Sequence, residues 1–189
     1  MRNWRTYGGI AAVLAAVTVG GVVLHIKASG NFYAITDHEA YRSDQLNREQ
    51  FVKYINRYGI KSVLNLRGRN PSRQWYQDEI AVCQELGVQH YDIAFSAKAA
   101  PTPDQEQRLM SIFRTAPRPI WIHCLHGADR SGLVAAMWKE MVDGRPKAEA
   151  AKQLSVRFGH VPFFGTEAMD NYFESWNPPA ESAWRSPSD

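Results

Sequence analysis

The sequence predicts an α/β domain, a central, mostly parallel sheet flanked by helices, with an N-terminal transmembrane helix ahead of it. Three observations predict this. Short apolar runs alternate with longer runs of helical period between Phe32 and Trp176, and strands that alternate with helices assemble into parallel sheets covered by those helices. Glycine, proline and capping residues fall between the runs, where elements should end. Residues 6–26 contain no Asp, Glu, Lys or Arg. The 189 residues, 44% hydrophobic and 22% charged, suit one domain of ordinary size and a short extension. The chain divides into a stub and anchor (1–27), a linker (28–31), a folded domain (32–176) and a flexible tail (177–189).

Taken in order, the uncharged run comes first. As a helix it would span roughly 31 Å, about the thickness of a bilayer's hydrocarbon core. Arg2 and Arg5 precede it and only Lys27 follows closely. The positive-inside rule then keeps the N-terminus in the cytoplasm. The chain would be a single-pass protein of the inner membrane, with its folded domain on the periplasmic side. A cleaved signal peptide shares the basic start and apolar middle. Lys27 makes the following stretch a poor small-x-small cleavage site. A buried core helix would show a polar face, which this run lacks.

Phe32 to Ile35 reads as a strand, and Tyr41-Arg42-Ser43 as a second short one. Asn47 is an N-cap for a helix that carries Phe51, Tyr54, Ile55 and Tyr58 on one face and stops at Gly59. Lys61 to Leu66 alternates as a buried strand. A helix follows from Trp75 to Leu86, stopped by Gly87, and then a strand from Val88 to Phe95. Thr102-Pro103 starts a helix that runs to about Arg114, with proline at its first position. Pro119 to His123 is a short apolar strand, and Gly132 to Val142 an apolar, deeply buried helix. Lys147 to Phe158 and Thr166 to Trp176 are further helices.

Composition excludes several classes. A net charge of +3 is too small to mark a nucleic-acid binder. Two cysteines, Cys83 and Cys124, make no disulfide framework and are too few for a four-thiolate zinc site. No metal or other cofactor is expected.

The chemistry lies in Ile122 to Gly132, which reads I-H-C-L-H-G-A-D-R-S-G. An apolar strand enters a loop, and the loop enters a helix. Such a loop converges its backbone N–H groups on one point, and the helix adds the positive end of its dipole. Gly127 permits the tight path, and Gly132 lets the helix pack closely. The product is a nest for a tetrahedral dianion. Cys124 sits at its base, where amides and cations lower a thiol's pKa. Arg130, six residues on, can hold two phosphate oxygens in its planar fork while the sulfur attacks phosphorus.

These residues resemble the protein tyrosine and dual-specificity phosphatase superfamily, whose signature is H-C-x5-R-[ST]-G. His123, Cys124, Arg130, Ser131 and Gly132 match it without a mismatch. Tyr41-Arg42-Ser43 and Val63-Leu64-Asn65-Leu66-Arg67 are similar to early segments of the compact, atypical dual-specificity group. His126 to Arg130 is similar to bacterial members that face the periplasm. The resemblance spans about Phe32 to Trp176. It implies a dual-specificity phosphatase-like fold and hydrolysis of phosphate monoesters through a phospho-cysteine on Cys124. The substrate expected first is a phosphotyrosine protein. Arg130 would bind the phosphate, and Leu125, His126, Gly127, Ala128, Asp129 and Arg130 would cradle its oxygens. Ser131 would hydrogen-bond the sulfur, and His123 would tune it from behind.

The family's general acid is an Asp on a loop before the cysteine. Here the loop after the strand ending at Phe95 reads Ser96-Ala97-Lys98-Ala99-Ala100-Pro101, with no carboxylate. Asp129 in the phosphate loop, Asp104 in the next helix and Asp92 in the strand remain as candidates, beside no protein acid at all, which the good leaving group of an aryl phosphate would tolerate. Cys83 reads as core packing or, in its sharper form, as a thiol that protects oxidised Cys124. Arg67, Arg69 and Arg73 read as a solvated basic loop or a guide for anions. Trp121, His160, Phe158, Phe163 and Phe164 read as packing. Rival functions are a lipid or inositide phosphatase of the same fold, an inactive phosphate-binding module, and a rhodanese-like sulfurtransferase, to which the Arg-Ser-Gly ending is foreign.

Overall fold

The computed structural model describes residues 28–179, together with Tyr7, Gly9, Gly20 and Gly21. Most of the expected anchor and the end of the expected tail lie outside the described residues. Among the described residues no helix is long and apolar enough to cross a membrane.

Five strands form one sheet in the order β1-β2-β5-β3-β4. They are β1 (Tyr33–Thr36), β2 (Ala40–Ser43), β3 (Ser62–Asn65), β4 (Gln89–Asp92) and β5 (Ile120–His123). β5 lies at the centre, parallel to β2 and β3, and β4 runs parallel to β3. β1 pairs antiparallel with β2 at one edge, so the sheet is mixed. All four parallel strands end on the same edge. The loops that leave that edge therefore gather at one place, as open α/β sheets generally arrange.

Helices α1 (Arg48–Tyr58) and α2 (Gln74–Leu86) cover one face. Their apolar cluster includes Phe51, Ile55, Val63, Val82, Cys83 and Trp121. Helices α3 (Pro103–Thr115), α4 (Asp129–Met141) and α6 (Glu167–Ser175) cover the other, in a cluster with Leu64, Ile120, Ile122 and Cys124. Adjacent residues of β5 divide between these clusters because side chains alternate across a strand. The expected N-caps are in place. Asn47 with Gln50, and Thr102 with Gln105, each form a capping box, which satisfies two end amides reciprocally.

Three expectations need correction. The segment 147–158 is not one helix. It breaks into a single turn, α5 (Lys147–Ala150), and two 3-10 turns at Ala151–Gln153 and Val156–Phe158. The break lets the Gln153 carbonyl and side chain accept from Arg42, which a continuous helix would leave unpaired. The strand expected over 88–95 stops at Asp92. Beyond it, Ala94 bridges antiparallel to Arg67. Finally, α4 begins at Asp129, earlier than Gly132, so that Asp129 and Arg130 belong to the helix start.

Candidate active site

Cys124 follows β5 directly and is buried, at 2% exposure. Its sulfur lies 3.5 Å from the Ser131 hydroxyl oxygen. Between them, Leu125 and His126 are exposed, and Gly127 and Ala128 are buried. Gly127 has φ of 65°, and a Cβ there would come within 2.6 Å of the Asp44 nitrogen. No side chain caps the start of α4, so its first amides are left for a ligand. A Cβ on Gly132 would meet the Gln153 carbonyl at 3.1 Å and the Arg42 guanidinium at 3.2 Å. Both expected glycine roles are thus met.

Arg130 Nη1 donates to the carbonyls of Leu66 at 3.4 Å and Phe95 at 3.5 Å. These ends of the β3 and β4 segments hold the guanidinium over the loop. Its Nε is buried without a protein partner among the described residues. A buried cationic donor left unpaired is costly unless an anion meets it.

Arg42, on β2, shapes the loop from beneath. It is fully buried. Nη2 donates to the carbonyls of Gly127 at 2.8 Å and Ala128 at 2.9 Å. Nη1 donates to the Gln153 carbonyl, and the guanidinium lies 4.4 Å from the centre of the Phe158 ring. By occupying these carbonyls it turns the opposite side of the peptides, their N–H groups, inward. Burial lowers its pKa to about 10, opposed by the charges of Cys124 and Asp129. The guanidinium therefore stays charged at neutral pH.

Two histidine networks flank the loop. His123 packs on the α2 face, with Nε2 3.1 Å from Glu79 Oε1. The same oxygen lies 2.7 Å from His90 Nε2, and Gln45 Nε2 donates to Oε2 at 3.0 Å. Burial alone would raise the Glu79 carboxyl. The His123 imidazole and the bonds from His123, His90 and Gln45 outweigh that and hold it well below the usual carboxylate range. On the α4 face, buried His160 lies 2.7 Å from Asp129 Oδ1 through Nδ1 and 2.8 Å from Asp170 Oδ2 through Nε2. Burial disfavours its charge, but the two carboxylates prevail and raise its pKa.

Of the three acid candidates, only Asp129 belongs to the loop. Asp92 accepts from Asn65 Nδ2 at 2.8 Å and from the Tyr76 hydroxyl at 2.6 Å. Asp104 faces a groove of about 1150 Å³ with Arg69, Asp92 and Arg108, whose walls include neither Cys124 nor Arg130. Cys83 shares that groove and sits across the sheet from Cys124 in the other apolar cluster. Burial, with Glu79 and Asp92, pushes its thiol up to about 12, so it is a packing residue. Arg67 stacks 3.7 Å over the Trp75 ring and donates to Gln45 Oε1 at 3.0 Å. It is thus a placed, half-buried cation near Arg130. Trp121 is packed as expected, its Nε1 donating to Ser43 Oγ. Phe163 and Phe164, expected to pack, are exposed instead.

The sequence reading missed Glu79, Gln45, Asp44, Asp170 and the bridging role of His160. Asp44 follows Ser43, which pairs with His123. Burial raises its carboxyl to about 6, against the influence of His123. A signal existed for Glu79, a carboxylate among Tyr76, Val82 and Cys83 on the inward stripe of α2. A charge there demands a partner.

Residues 22–168 match the family described as "DSP-PTPase phosphatase fused to NAD+ Kinase". The chain belongs to this dual-specificity phosphatase family. Its enzyme class is that of the family, a cysteine-dependent phosphomonoester hydrolase of the protein-tyrosine and dual-specificity type. A curated relative of this phosphatase, the probable NAD kinase 2 (chloroplastic) of Oryza sativa subsp. japonica, is 25% identical over 134 residues. That match takes in 69% of this chain but only 14% of the rice protein. Solved structures share the fold. TpbA of P. aeruginosa has a TM-score of 0.59 at 23% identity, covering 79% of this chain and 87% of that one. The catalytic core of the PP-IP phosphatase Siw14 from S. cerevisiae, in complex with citrate, has a TM-score of 0.62 at 19% identity, covering 81% and 89%. A further TpbA structure is a complex with phosphotyrosine.

Proposed function

We propose that this phosphatase hydrolyses phosphate monoesters, phosphotyrosine in proteins foremost, through a phospho-cysteine on Cys124. The observation that carries the reading is the unpartnered, buried Nε–H of Arg130 beside a loop whose carbonyls Arg42 already occupies. A tetrahedral dianion would meet that donor together with the inward amides of Leu125 to Arg130.

In the first step the Cys124 thiolate attacks phosphorus, the bond to the ester oxygen breaks, and the proton held between His160 Nδ1 and Asp129 passes by way of Asp129 to the departing oxygen. In the second, water attacks phosphorus and gives its proton back to Asp129. The phosphorus–sulfur bond breaks, Ser131 steadies the departing thiolate, and inorganic phosphate leaves. His160 and Asp170 position Asp129. A group that serves as acid and then as base is cycled without loss.

The uncharged run 6–26 supports anchoring of the full chain in the inner membrane with this domain on the periplasmic side. A second reading, hydrolysis of a lipid or inositide phosphate, is favoured by Arg67, a second guanidinium close enough to influence Arg130 and Cys124.

The test is turnover of an aryl phosphate by the full chain in detergent. Turnover without added metal, blocked by vanadate and abolished in Cys124→Ser, is expected. Unchanged turnover in Cys124→Ser would overturn the reading. Phosphotyrosyl peptides compared with phospholipids and inositol phosphates would rank the substrates.

A further inference from the structure

Asn31 lies five residues beyond Ile26, the end of the uncharged run. Even fully extended, that chain reaches only about 18 Å. The residues just before the domain are bound to it without slack. The Ser29 carbonyl accepts from the Tyr54 hydroxyl at 3.2 Å, and the Gly30 carbonyl from the Asp44 N–H at 2.9 Å. Asn31 is fully buried, and its Nδ2 donates to the His126 carbonyl at 3.0 Å and the Phe158 carbonyl at 2.8 Å. His126 is part of the phosphate loop. The linker is therefore fastened to the loop itself.

The segment that Asn31 grips at Phe158 continues through His160, which binds Asp129, into Val161-Pro162-Phe163-Phe164. This turn presents apolar side chains to solvent. Val161 is 43% exposed, Phe163 63% and Phe164 92%. Internal bonds brace it, since the Thr166 hydroxyl donates to the carbonyls of Val161 at 2.6 Å and Phe163 at 2.8 Å. Phe164 is held at φ of 58°, a conformation that bulky residues seldom adopt and that tends to persist where function requires it. Exposed Lys98 packs beside Gly165 at the edge of this rim. Glu167 accepts from the Gly165 N–H at 2.7 Å, so its charge is engaged by the turn. Aromatic rings with a nearby cation suit the headgroup boundary of an anionic bilayer.

We propose that the rim of Val161, Phe163 and Phe164 docks on the bilayer that holds residues 6–26, so that the phosphate loop opens at the headgroup layer. This rests on the anchored reading above, and goes beyond it by fixing which way the domain faces. Phosphate esters within one linker length of the membrane surface would be the accessible substrates.

The experiment uses the full chain with Cys124→Ser, reconstituted in vesicles of phosphatidylethanolamine and phosphatidylglycerol. Cys83 is buried, so Phe164→Cys offers one accessible thiol for a fluorescent label. Ser111→Cys, exposed in the last turns of α3 and toward the opposite edge of the sheet, is the control. Lipids with a quencher near the headgroup should quench the label at 164 roughly threefold more than at 111, because an interfacial group lies ~5–10 Å into the boundary. A repeat with Phe163→Cys guards against disturbance of the turn. Equal quenching at all positions, in protein that floats with the vesicles after a carbonate wash, would overturn the docking and leave the anchor intact. Protein that fails to float would overturn both.

Discussion

The two histidine networks beside the phosphate loop use the same groups in opposite proportions. Behind β5, one carboxylate, Glu79, serves two imidazoles, His123 and His90. Beside α4, one imidazole, His160, serves two carboxylates, Asp129 and Asp170. The first is closed off, with Glu79 and His123 both buried. The second reaches the surface through Asp170, whose side chain is 38% exposed. The difference teaches where this fold places rigidity and where it places proton traffic. A buried carboxylate that accepts from His123, His90 and Gln45 at once holds geometry. A half-open chain ending on a loop carboxylate can exchange protons with water.

Breaking the closed network should have the largest effect. Glu79→Ala strands the buried His123 ring nitrogen and the half-buried His90 one, and is expected to cost about 3–5 kcal/mol, the penalty for removing one member of a buried pair. Urea unfolding would measure it. A loss below about 1 kcal/mol would show that the network is ornamental. Breaking the open network should instead strike turnover. Asp129→Asn is expected to lower kcat for an alkyl phosphate about 100-fold, or about 2.7 kcal/mol of barrier. An aryl phosphate, whose leaving oxygen needs less help, should lose less. An equal loss on both substrates would remove Asp129 from the proton's path.

The pH dependence of stability separates the networks by sign. The Glu79 carboxyl is held below its ordinary value of 4.5. Its contribution is present above 4.5 and fades as pH falls toward the folded value. His160 is held above its ordinary value of 6.5. Its contribution is complete below 6.5 and fades as pH rises through the folded value. The stability gap between the parent chain and His160→Ala should therefore shrink in alkali, and the gap to Glu79→Ala should shrink in acid. Chemical denaturation at several pH values would show whether the two slopes are opposite. The smallest effect belongs to Asp170→Asn. Half-exposed and screened by solvent, that contact should contribute about 1 kcal/mol, with turnover reduced only slightly.

Much of the site could be read from the chain alone because its parts are contiguous. Cys124, the loop amides, Arg130 and Ser131 lie within eight residues of one another, and local geometry brings strand, loop and helix start to one point. The caps at Asn47 and Thr102, and the stops at Gly59 and Gly87, were legible for the same reason. What was not legible is what acts across the sheet. Arg42 meets Gly127 across 85 residues, His123 meets Glu79 across 44, and Asp129 meets His160 across 31. Hydrophobic period reports which face a residue turns inward, but not which polar atom waits there.

By itself, then, the sequence determined the succession of strands and helices along the chain, the phosphate-loop signature and the uncharged N-terminal run. Each depends on neighbours along the chain, through period, capping and the steric needs of glycine. Only the tertiary structure decided that segment 147–158 breaks, that Phe163 and Phe164 face outward, and that the Asp129 carboxylate rests on a buried imidazole. Those outcomes follow from burial. A polar group removed from water takes whatever partner the packed fold supplies, and that partner can come from anywhere in the chain.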